Sequence, residues 1–155
     1  MRIIDQKLLD RITAEAMNNP RRRKNFNFHA SDDFCCHRLL NAMEPDSYIR
    51  PHRHLDPAKD ESIVMVRGRM GVVTFDESGN IQSQVIIAVD GNAIAVDIPH
   101  GLFHTVVSLE SGTVFFESKA GPYLPLTDEE KGGWSPAEEA PEAASYFESL
   151  TKLFN

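Results

Sequence analysis

Cysteine is almost missing from this sequence: two residues in 155, and they are neighbours, Cys35 and Cys36. Adjacent residues cannot tie distant segments together, so the disulfide framework of small secreted domains is excluded, and two reduced thiols beside a strand are expected. Long apolar runs are missing too. The longest near the middle, Val85 to Val89, is far too short to span a bilayer, and "MRIIDQKLLDRI" lacks the unbroken apolar core of a signal peptide. The expected location is the cytoplasm, with no membrane partner. Positive charge is also in deficit. Sixteen Lys and Arg face 23 Asp and Glu, and the net charge of −7 disfavours nucleic acid as a partner. The one basic run, Arg21 to Lys24, reads as a solvated surface, with an anion site or a subunit contact as the alternatives.

What is present fits an ordinary globular chain, 41% hydrophobic and 25% charged. At this length one domain, residues 1–155, buries roughly 70% of the unfolded surface and needs no staple. Ile4, Leu8, Ile12 and Ala16 recur every four residues among charged neighbours, which predicts an amphipathic helix over about 4–17, ending near Asn18, Asn19 and Pro20. From about 26 to 123 the pattern changes to short segments rich in Val, Ile, Phe and Thr between turn residues. Strands are predicted near 26–29, 35–43, 48–53, 62–67, 70–76, 81–88, 93–98, 103–108 and 113–119, with a hairpin turn at Asp76 to Asn80. That spacing predicts a sandwich or barrel. Ser135, Pro136 and Glu138 read as an N-cap, a first helical position and a capping-box residue, opening a C-terminal helical segment over about 136–154.

The chemistry concentrates in "RPHRHLDPAKDE". In a strand His52 and His54 project to one side and can grip one ion, and Glu61 returns beside them if the loop holding Pro57 turns the chain back. Imidazole plus carboxylate suits one divalent transition metal, Fe, Mn, Zn, Ni or Cu. Asp56 and Asp60 are the stand-ins for Glu61. About fifty residues on, "IPHGLFHTVV" places Pro99 and Gly101 at a turn and His104 at the start of a strand.

At these residues the sequence resembles the cupin superfamily: His52, His54, Glu61 and Gly68 echo its first motif, and Pro99, Gly101 and His104 its second. The resemblance implies a single cupin jelly-roll barrel, mainly β, in which His52, His54, Glu61 and His104 bind a metal. The step from His54 to Glu61 is longer than the usual motif, and Ser108 stands where the second motif often ends in asparagine. Over nearly the whole chain, "PRRRKNFNFH", "RLLNAMEPDSYIRPHRH", "GPYLPLTD" and "WSPAE" resemble the WbuC-type cupin-fold metalloproteins, bacterial proteins often associated with polysaccharide gene clusters, in which the longer step is normal.

Around the metal, strand parity brings Arg50 and Tyr48 towards the face of His52 and His54. Arg50 would suit a carboxylate or phosphate, or be a solvated arginine at the barrel mouth. Glu117 and Lys119 either line the pocket as an acid/base pair or form the commoner exterior salt bridge. Asn27 and His29 are substrate-binding candidates, or hydrogen-bonded structure. Cys36 and His37 point to opposite faces of a strand and are poorly placed to pair as nucleophile and base. His100 reads as a loop residue at the mouth, and Trp134 as an anchor for the C-terminal helix. The expected function is a metal-dependent enzyme, isomerase-like or epimerase-like, with Glu117, Lys119 or Tyr48 moving the proton on a small polar or anionic sugar-related metabolite. A non-catalytic metal-dependent binding module and an Fe(II) dioxygenase are the alternatives. Terminal helices that cover strand edges or mediate pairing make a homodimer the default.

Overall fold

Helical periodicity at the N-terminus produces α1, Gln6–Met17, in the computed structural model, which describes residues 1–155. It starts two residues later than the apolar spacing predicts because the Asp5 side chain accepts from the Leu8 amide at 2.9 Å and caps the helix there. Eight strands follow: β1 Arg23–Asn27, β2 Cys36–Met43, β3 Glu61–Arg67, β4 Arg69–Phe75, β5 Ile81–Ala88, β6 Ala95–Ile98, β7 Phe103–Ser108 and β8 Thr113–Ala120. They form a five-stranded sheet, order β1-β2-β8-β3-β6, and a three-stranded sheet, order β5-β4-β7, with antiparallel pairing throughout. The two sheets pack face to face as a jelly roll. No helix is long and apolar enough to cross a membrane.

The alternation of side chains along each strand sorts the core into layers. Met43, Ile63, Met65, Ile98 and Phe115 of the larger sheet pack with Met70, Val72, Ile87 and Val106 of the smaller one. Residues of opposite parity face outward and are covered by helices. Leu9, Ile12 and Ala16 of α1 pack on Leu40, Ala42 and Val114. Leu150 of α2, Ala143–Thr151, packs on Val73, Phe75, Phe103 and Val107. Full burial of each such aliphatic side chain contributes roughly 1.5–3 kcal/mol. The terminal helices thus cover the outer faces of the two sheets.

Three expected elements differ. The first strand runs Arg23–Asn27 rather than 26–29, drawing Arg23 and Lys24 of the basic run into β1, where they pair with Met43 and Ala42. The segment 48–53 forms no regular strand, because Pro51 has no amide to donate. One isolated bridge remains there: the His52 amide donates to the His104 carbonyl at 3.0 Å and the His104 amide to the His52 carbonyl at 2.8 Å. On its other side the segment is held by the tail, the Gly132 amide donating to the Pro51 carbonyl at 2.8 Å. At the C-terminus, Ser135 is no helix cap. Its hydroxyl donates to the Gly132 carbonyl at 2.7 Å and accepts from Arg50 Nε at 3.3 Å, so the chain stays in turns until Ala143. The hairpin turn forms as predicted, with Asp76 Oδ1 accepting from the Ser78 and Asn80 amides and Gly79 at φ 86°.

Candidate metal centre and pocket

The loop after His54 does turn the chain back. The Lys59 amide donates to the Asp56 carbonyl at 2.9 Å, Asp56 Oδ1 accepts from the Ala58 amide, and β3 then opens on Glu61. Glu61 Oε2 lies 3.1 Å from His54 Nε2 and 3.7 Å from His104 Nε2. Ligand atoms of His52, His54 and Glu61 all lie within 4.8 Å of one another, so this cluster could hold a metal ion. His104 adjoins it, its ring centroid 4.7 Å from that of His52. Asp56 and Asp60 are engaged elsewhere: Asp60 Oδ1 lies 2.8 Å from His100 Nδ1 and accepts from the His100 amide, at the exposed mouth.

The donor set fits a divalent transition metal. His52 Nδ1 lies 3.1 Å from the Arg50 carbonyl and His104 Nδ1 2.9 Å from the Leu102 carbonyl. A carbonyl only accepts, so each Nδ1 carries the proton and each Nε2 keeps a free lone pair. Burial, reinforced by neighbouring His104, pulls His52 down to about 3, which keeps it neutral as a ligand must be. Glu61 is only 5% exposed. Burial alone would raise its carboxyl, but the Lys119 charge, with the hydrogen bond to His54, holds it well below the usual range.

Glu117 and Lys119 face this site, on the inner face of β8. Antiparallel pairing sets Glu61 opposite Lys119 and Ile63 opposite Glu117. Lys119 Nζ lies 2.6 Å from Glu117 Oε1 and 3.8 Å from Glu61 Oε1. The preference for an exterior salt bridge is therefore reversed by register, which sequence parity alone could not anchor to a face. Burial, then the Glu61 charge, pushes the Glu117 carboxyl up to about 7. Burial opposes the Lys119 charge, but Glu117 and then Glu61 raise it to about 12.

Both carboxylates open onto a cavity of about 850 Å³ that also takes in Arg50, Asn27 and His29. Arg50 Nη2 donates to the Gly132 carbonyl at 2.9 Å, and its charge meets no carboxylate. His29 stacks on His37, ring centroids 4.0 Å apart. Tyr48 lies elsewhere. Its ring packs on Tyr146 and Phe147 under α2, and its hydroxyl donates to the Pro136 carbonyl at 2.9 Å, so it cannot reach the cluster to move a proton. Loss of the strand at 48–53 explains that error: parity fails across Pro51. Cys35 and Cys36 are exposed free thiols. Trp134 sits against Phe75 and Phe103 beside Leu150, as an anchor of the C-terminal segment. Asn25, Asn41 and His37 also line the cavity, and the sequence reading missed them. Their shared inward parity with Glu117 becomes visible only once β1, β2 and β8 are paired.

Residues 4–87 match the family model described as a domain of unknown function, DUF6016. No curated protein matches the chain. Among solved structures, TT1209 from Thermus thermophilus is 21% identical, with a TM-score of 0.53, covering 77% of this chain and 97% of that one. BH2720 from Bacillus halodurans is 19% identical, with a TM-score of 0.53 over 81% and 85%. KdgF from a Halomonas species is 16% identical, with a TM-score of 0.51 over 72% and 87%. At these identities the likeness is one of fold.

Proposed function

The chain belongs to the DUF6016 family, and from that premise and the site geometry we propose a metal-dependent enzyme, isomerase-like or epimerase-like, acting on a small polar or anionic sugar-related metabolite. The observation that carries the reading is the Glu117–Lys119 pair, 2.6 Å apart and lining the same cavity as His52 and Glu61 of the metal cluster and the adjoining His104. A divalent metal on His52, His54 and Glu61, with His104 adjoining, would supply Lewis-acid polarisation of hydroxyl and carbonyl oxygens. Glu117, poised near neutrality, takes a proton from carbon beside a carbonyl and returns it. Lys119 holds negative charge as it develops on oxygen. Arg50, with no carboxylate partner, favours an anionic group on the substrate.

The likeness of "RLLNAMEPDSYIRPHRH" and "GPYLPLTD" to WbuC-type proteins supports a sugar-related substrate and a place in surface polysaccharide metabolism. The reading includes a cytoplasmic homodimer. Exposed Val64, Ile86 and Ile94, near the outer strands β5 and β6, support that pairing.

The test is proton exchange. The protein is loaded in turn with Mn, Fe, Ni or Zn and incubated in D₂O with aldoses, ketoses and uronates, with NMR reading deuterium at carbon beside the carbonyl. Metal-dependent exchange, lost in Glu117→Gln with metal content retained, is expected. Bound sugar without exchange makes the protein a binding module, and oxygen consumption restricted to the iron form makes it a dioxygenase.

A further inference from the structure

β1 has the wrong inner face for a core strand. Its sequence is RKNFN, and pairing puts Asn25 opposite Asn41 and Asn27 opposite Leu39, on the side that Glu117 and Glu61 share. Asparagine is depleted in strands because it gives the pleated surface little to pack, and the core between the sheets contains no β1 residue. The aromatic at the alternate position, Phe26, packs outward against the α1 cluster. β1 is the edge strand of its sheet, and the exposed Asn25 and Asn27 line the cavity from that edge. Their face continues the floor of the cavity that holds Glu61 and Glu117, and tail residues Ala137 and Glu138 line the same cavity.

The polar groups on this floor form two hydrogen-bonded pairs. The Asn41 amide donates to Glu117 Oε2 at 2.7 Å, which leaves its own carbonyl oxygen without a partner. The Asn25 amide donates to Asn27 Oδ1 at 2.7 Å, which leaves the Asn25 carbonyl and the Asn27 NH₂ open. Neutral donors and acceptors in alternation match hydroxyl groups, each of which both donates and accepts. Three interstrand steps separate β3 from β1, about 14 Å at the usual spacing of roughly 4.8 Å. That is longer than one sugar ring.

We infer that the substrate is an oligosaccharide of at least two units, its reacting end at the His52, His54 and Glu61 cluster and its second unit lying along Asn41, Asn25 and Asn27. This rests on the reading of the cavity as a sugar site and adds its length and direction. β1 is then a specificity strand for the far unit, and these asparagines position it without touching the reacting atoms.

The experiment is calorimetric titration of the metal-loaded protein with mono-, di- and trisaccharides, both neutral and uronic, against Asn25→Ala/Asn27→Ala and Asn27→Trp variants. Both positions are exposed, so an unchanged thermal midpoint shows that the variants fold. Tighter binding of di- or trisaccharides, weakened roughly tenfold or more in both variants while monosaccharide affinity shifts less than about twofold, is expected. Preference for monosaccharides, indifference of the longer sugars to both variants, or no saccharide binding at all would overturn it. Length-dependent binding without deuterium exchange keeps the trough and removes the enzymatic reading. Exchange confined to monosaccharides does the reverse.

Discussion

Glu117 and Lys119, two residues apart on β8, hold their charged atoms 2.6 Å from each other on the inner face of the sheet. Each is the other's compensation. Glu117 is 7% exposed, and Glu61 lies beyond Lys119 at 3.8 Å, so the single cation stands between two buried acids.

Lys119→Met removes that cation and leaves two carboxylates buried together. Stability falls by about 3–5 kcal/mol in chemical denaturation, the range for breaking one side of a buried pair. Lys119→Met/Glu117→Gln recovers part of the loss, since one of the stranded charges is gone. Equal losses in the single and double variants would mean that the pair is not coupled.

Metal should stabilise the fold measurably. At a hundredfold excess over its dissociation constant a ligand adds about 2.7 kcal/mol, which in a chain of this size is roughly 5–10 °C in thermal midpoint. Zn or Mn produces the shift, EDTA reverses it, and His52→Ala and Glu61→Ala abolish it along with about one equivalent of bound metal. His104→Ala tests the fourth position. An unchanged metal content in that variant restricts the ligand set to three.

Alkaline stability should be limited by Tyr146 together with its neighbour Tyr48, whose hydroxyl is raised further by burial. Burial raises the Tyr146 hydroxyl to about 12, so the folded state favours the neutral phenol. Its contribution is complete below the ordinary tyrosine value near 10 and is lost as pH rises through about 12. Tyr146→Phe therefore moves the alkaline unfolding midpoint upward. A midpoint that stays in place assigns alkaline unfolding to another group.

Gly71 is where β4 meets the C-terminus. A methyl group there would run into the ring of Phe154. Gly71→Ala costs about 1–3 kcal/mol by overpacking, and Gly71→Ala/Phe154→Ala costs less than the two single changes added together. Additive losses, measured by denaturant unfolding, would show that the C-terminal turn does not rest on β4.

Much of this was legible because it is local. The α1 stripe, eight of the nine expected strands, the Asp76 to Asn80 turn and the spacing of His52, His54, Glu61 and His104 all depend on neighbours a few residues apart or on two short motifs. The sequence by itself therefore determined which faces of each element are apolar and which residue types could meet a metal. Tertiary structure alone decided the direction of the rest. Glu117 and Lys119 face inward because β8 is held between β2 and β3 in one register. Tyr48 leaves the site because Pro51 breaks the pairing that parity assumed, and Ser135 serves Arg50 and Gly132 rather than a helix. The polar floor along Glu117, Asn41, Asn25 and Asn27 exists only where β8, β2 and β1 are brought side by side. Hydrogen bonds between distant segments set those arrangements, and no periodicity within a segment encodes its distant partner.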